Sequence, residues 1–127
     1  MNKGDRKLID LLISLIFFVI TSIGLLLRSL QFDSNLLRFI VNSLGNIGGV
    51  IVCSFLFIWW VKESSLKKRE LVIFSVGVGL IIYEFLQIVI PWQTFDVKDI
   101  IGTLIGVIIA SIMNLLIVVL RSIKLSS

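Results

Sequence analysis

Glu84, Gln87, Asp96 and Asp99 are the residues of this chain whose types and spacing could do chemistry. Glu84 and Gln87 stand three apart inside an apolar run, so they share one face of a helix. Asp96 and Asp99 flank the start of the next apolar run. Ionisable groups in such runs are expensive to keep there, and by default they mark a functional site with partners that can be named. A carboxylate as deep as Glu84, roughly 9 Å inside the helix end set by Pro91, must bind a proton or find a cation. Arg28 and Arg38, at the ends of the neighbouring runs, are the counter-ions to hand, and Asn42 and Thr103 continue the same faces. No metal is expected; if one bound, Glu84, Asp96 and Asp99 would supply hard oxygen ligands. Asp96 also reads as a helix N-cap and Asp99 as a first-turn acid, since both complement the positive end of a helix dipole.

The rest of the composition narrows this chemistry. There is no histidine and one cysteine, Cys53. Ser–His and Cys–His nucleophile pairs, His-ligated zinc and an intramolecular disulfide are therefore excluded. No cofactor is expected.

The elements that must position these groups are membrane spans. At 57% hydrophobic and 16% charged residues, with 127 residues in all, the chain is one domain, residues 1–127, with too much apolar surface to hide from water. Its mean hydropathy is +1.10. Four apolar segments stand out, Leu8–Leu27, Phe39–Val61, Leu71–Ile90 and Ile100–Leu120, each near the roughly 20 residues a helix needs to cross a bilayer. Backbone groups cannot face lipid unsatisfied, so the spans are helices. Short connections then predict an all-α polytopic membrane protein, four helices in an up-down-up-down bundle. The N-terminal apolar run is too long for a signal peptide and reads as a retained span.

Orientation follows from the basic residues. Lys3, Arg6, Lys7, Lys62, Lys67, Lys68, Arg69, Arg121 and Lys124 fall on one side, and Arg28, Arg38 and Lys98 on the other. The excess predicts cytoplasmic termini and an outward-facing acidic cluster. Basic residues in short loops beside spans are a topology signal, so nucleic acid is not an expected partner; membrane lipids are. Gly45 and Gly49, and Gly102, Gly106 and Ala110, repeat at four-residue spacing and predict close helix packing. The stripes beginning at Arg38 and Asp99 correspond, suggesting a parallel repeat of the second and fourth helices. Asp10 reads as a boundary residue, Asn114 and Ser111 as interhelical hydrogen-bonders, and Trp59, Trp60 and Trp92 as interfacial anchors.

At Glu84, Gln87, Pro91, Phe95, Asp96, Asp99 and Gly106 the chain resembles the VanZ-like family of small bacterial membrane proteins. Asn42, Gly45 and Asn46 resemble that family's upstream Asn-x-x-Gly-Asn segment, so the likeness runs from Arg38 to Ala110. The family's turn arginine is Gln93 or Thr94 here, its last-helix asparagine is Thr103, and its proline and glycine after Gly-Asn are Ile51 and Cys53. The resemblance implies the bacterial plasma membrane, the cell envelope and low-level resistance to the glycopeptide teicoplanin. The residues themselves leave three functions open beside a purely structural one, as an assembly partner. One is a non-enzymatic envelope protein whose outward pocket takes a lipid-linked or peptidic ligand. Another is a membrane-embedded enzyme acting on a lipid or cell-wall precursor, with Glu84 as acid and base. The third is a small proton-coupled transporter, for which Asp10 is the one carboxylate in the first helix.

Overall fold

The computed structural model describes residues 3–30 and 33–126. The side chains of Lys3, Arg6 and Lys124, counted above for orientation, lie outside the described residues. Four helices make up the fold: α1 (Lys3–Leu27), α2 (Asn35–Val61), α3 (Leu66–Leu86) and α4 (Val97–Ser126). Each is long and apolar enough to cross a membrane. Their outward faces are apolar, with Phe18 59% and Leu26 74% exposed, as expected of helices whose solvent is lipid.

The helices are longer than the apolar runs because capping, not hydropathy, sets their ends. Ser34 caps α2, its hydroxyl accepting from the Leu37 amide at 3.5 Å, so α2 begins four residues before Phe39. α3 begins at Leu66, not Leu71, and takes the charged run Lys67–Glu70 into the helix. Ahead of it, the Glu63 carboxylate accepts from the amides of Ser64 and Ser65, both at 2.9 Å. Those bonds, the Ser65 amide first, with Lys68 nearby, hold the Glu63 carboxyl below its ordinary value. At the end of α2, Lys62 takes the left-handed conformation (φ 59°). Its amide bonds the Trp59 carbonyl at 3.3 Å and the Glu63 amide bonds Ile58 at 3.3 Å, the crossed pair of a Schellman cap. α3 ends in a 3₁₀ turn, Gln87–Val89, and Ile90 is extended, as a residue before proline must be.

α2 is the centre of the bundle; it packs against α1, α3 and α4, and α4 also packs against α3. Ser14 donates to the Val52 carbonyl at 3.2 Å and Arg28 bonds the Asn42 carbonyl, so α2 runs back along α1. Gly102 faces Ser43 and Asn46, and Gly106 faces Ile47 and Val50, so α4 lies beside α2 in the same sense. Val50, Ile51, Phe55, Ile58, Ile73 and Ala110 form the fully buried apolar core.

The glycines divide by what faces them. A side chain at Gly106 would meet the Ile47 backbone at 2.9 Å, and one at Gly102 would meet Asn46 and Ser43 at 3.3–3.4 Å. At Gly45 the neighbour is the Arg28 guanidinium, 3.2 Å away, so this glycine makes room for an arginine rather than for a helix. Nothing lies within 4 Å of Gly49; its neighbour Gly48 is the one pressed on α1, where a β-carbon would collide with Thr21. Gly77, against Val107, plays the same part between α3 and α4.

Candidate functional site

Polar groups gather at both ends of the bundle. The acidic end is built where α3 stops and α4 starts. Pro91 forces the chain out of the helix, and the Phe85 and Phe95 rings stack at 5.7 Å across the turn. The Tyr83 hydroxyl donates to Gln93 Oε1 at 3.3 Å, tying the same turn down. Asp96 Oδ1 then accepts from the Lys98 amide at 2.9 Å, so Asp96 caps α4 and is exposed. Asp99 falls in the first turn, half-buried.

Glu84 is the buried member, 5% exposed, on the inward face of α3. The Gln87 amide hydrogen-bonds it, and the charges acting on it are those of Asp99 and Asp96. Its Oε2 is buried with no hydrogen-bond partner. Buried polar atoms are nearly always paired, so an orphaned carboxylate oxygen needs a reason. Asp99 is faced by the Asn46 amide and by Arg28. Arg28 reaches there across Gly45, with one nitrogen on the Asn42 carbonyl.

The predicted residues are thus placed unequally. Glu84, Gln87, Asp96 and Asp99 come together. Asn42 is exposed and contributes its main-chain oxygen. Thr103 is buried, and its hydroxyl bonds back to the Asp99 carbonyl at 2.9 Å, bracing the helix under the carboxylate. Arg38 is exposed in the first turn of α2. Arg28, one of the two expected counter-ions, faces Asp99, and Asn46, named only through the family resemblance, is its amide partner. Among the described residues no group of three or more carboxylates or thiols converges as metal ligands.

The basic end holds a network that hydropathy hid. Arg69 is fully buried. Its Nη1 and Nη2 donate to the two oxygens of Asp10 at 2.9 and 2.7 Å, the bidentate geometry that suits arginine. Its Nε donates to Asn114 Oδ1 at 2.5 Å, and Nη1 also reaches the Glu63 carbonyl at 3.4 Å. Asn114 in turn donates to Glu70 Oε1 at 2.6 Å, and Arg121 lies 3.7 Å from Asp10. Asp10 is therefore no boundary residue; it is 3% exposed and links α1 to α3 and α4. The signal was present in the periodicity. Asp10, Ser14, Thr21 and Gly24 form one face of α1, and Arg69, Ile73, Gly77 and Glu84 one face of α3. The first-helix carboxylate that a proton-coupled transporter would use is already held by a guanidinium.

No protein-family model matches the chain, and neither a curated protein nor a solved structure is similar to it.

Proposed function

We propose that the chain is a non-enzymatic, multi-pass protein of the bacterial plasma membrane, crossing it up-down-up-down with cytoplasmic termini. Its acidic end, on the outer side, binds an amine-bearing group of a lipid-linked or peptidic envelope ligand. The observation that carries this reading is Glu84, buried with an unpartnered oxygen and with carboxylates as its charged neighbours. An ammonium would give that oxygen a donor and balance the Glu84–Asp99 repulsion in one step, and charge-assisted bonds of this kind are the strong ones. The excess of Lys and Arg beside the termini and the Lys62–Glu70 segment supports the orientation. The VanZ-like resemblance at these same residues supports the link to the envelope and to glycopeptides.

Complementation tests the reading. In a strain whose glycopeptide susceptibility changes when this gene is deleted, Glu84→Gln and Asp99→Asn should leave susceptibility at the deletion level. Leu86→Ala, on the exposed face of α3, should restore it. Full complementation by both acidic-end variants would refute the assignment of the site.

A further inference from the structure

A second site lies at the basic end, where the C-terminal end of α2, the start of α1 and the end of α4 enclose a cavity of about 310 Å³. Its polar wall carries Lys7, Lys62 and Arg121, and its apolar wall Ile58 and Trp59. The carboxylates on its lining, Asp10 and Glu63, are already engaged. Asp10 is held at both oxygens by Arg69, and Glu63 accepts from two backbone amides and sits 3.8 Å from Lys68. Arg121 also lies 3.7 Å from Asp10; the lining carries three cations against two carboxylates, and with both carboxylates held from behind by Arg69 and Lys68 it stays net positive.

This volume is at the lower end of small-ligand sites and exceeds what one inorganic anion needs. The half-buried Trp59 is the side chain type that settles at the headgroup level of a bilayer, and it gives the cavity an apolar wall with the buried Ile58 behind it. Basic pockets between transmembrane helices recognise anionic headgroups by this combination of charge and depth. We propose that this cavity seats the phosphate-bearing headgroup of an anionic lipid. The proposal shares with the preceding section only the reading of the helices as membrane spans; it uses none of the acidic-end residues.

Native mass spectrometry of the purified full chain, titrated with phosphatidylglycerol or phosphatidylcholine, tests it. The wild-type chain should retain phosphatidylglycerol in preference to phosphatidylcholine. Lys62→Gln should weaken retention about fivefold and the Lys7→Gln/Lys62→Gln pair about thirtyfold, since each basic group near a headgroup contributes about that factor. Neither residue belongs to the Arg69 network, so both variants should fold. Lys67→Gln removes the same charge from the same end but outside the cavity, and should leave retention nearly unchanged. Glu84→Gln should also leave it unchanged, which separates this proposal from the acidic-end one. Equal losses in Lys62→Gln and Lys67→Gln would show attraction to net charge and overturn the site. Equal retention of the two lipids would overturn it as well. Displacement of the lipid by inorganic phosphate at matched concentration would assign the cavity to a soluble anion instead, and refute the lipid.

Discussion

The two ends of α3 each carry a charged side chain into the bundle, and they treat it in opposite ways. Arg69 and Glu84 share one face of the helix, about 22 Å apart at 1.5 Å per residue. At Arg69 the charge meets a bidentate carboxylate, an amide oxygen and a backbone carbonyl, and the amide's other end is bonded to Glu70. At Glu84 a single amide serves one carboxylate, the neighbouring charges are of the same sign, and one oxygen has no donor. A polar network in low dielectric fixes structure when every member is satisfied. The difference teaches that a charged group can be buried with its partners in place, as at Arg69, or with an oxygen left without a donor, as at Glu84.

The comparison can be broken most forcefully at Arg69. Arg69→Ala leaves the buried Asp10 without its bidentate partner, with only Arg121 at 3.7 Å, and should cost about 3 kcal/mol, read as a lowered thermal-unfolding midpoint in detergent. Replacing the pair together, Arg69→Met with Asp10→Leu, should recover part of that loss, because neither member of the bidentate pair is then left without the other, although Arg121 loses Asp10. A double variant as unstable as Arg69→Ala would mean the network does more than satisfy its own charges.

The close approach of α1 and α2 is the next test. Gly48→Ala drives a β-carbon into Thr21 and should cost about 1–3 kcal/mol. Gly49→Ala, one residue on, meets nothing within 4 Å and should be neutral or stabilising by up to about 1 kcal/mol through helix propensity. The same unfolding measurement decides both, and equal losses would contradict the packing described here. Smaller still is Lys62→Gly. Removing the side chain from a left-handed cap relieves about 1 kcal/mol of backbone cost, partly offset by the freedom glycine gains when unfolded, so a slight stabilisation is expected. A clear loss would show that the Lys62 side chain itself holds the end of α2.

Much of this was legible in the sequence. The four spans follow from hydropathy, but α3 ends at Leu86 and goes on only as the 3₁₀ turn Gln87–Val89, so Glu84 lies two residues from the end of α3 and not the roughly 9 Å expected from Pro91. The acidic cluster was legible because Glu84 interrupts an apolar run and so announces itself. Arg69 did not, because it sits in Lys67–Glu70, a run of charges that reads as a solvated loop beside a span. Only helical phase separates it from its neighbours: Lys67 and Lys68 point outward while Arg69 heads the stripe that continues through Ile73 and Gly77. Asp10 was misread for a related reason. Near the end of a span a carboxylate can reach water, and its partner lies 59 residues away, a separation no local pattern records. Gly48 was passed over in favour of Gly49 because four-residue spacing from Gly45 matched the expected motif, whereas the helix contact depends on which side of α2 meets Thr21.

The central claim is that the buried charge of Arg69 is matched within the bundle and the buried carboxyl of Glu84 is not. The most direct test compares two isosteric changes, Asp10→Asn and Glu84→Gln, by thermal unfolding under identical conditions. Each removes one buried carboxylate charge and keeps the shape. Asp10→Asn should be clearly destabilising, since Arg69 loses its counter-charge, whereas Glu84→Gln should leave the midpoint unchanged or raise it. Equal losses at the two positions would contradict the account.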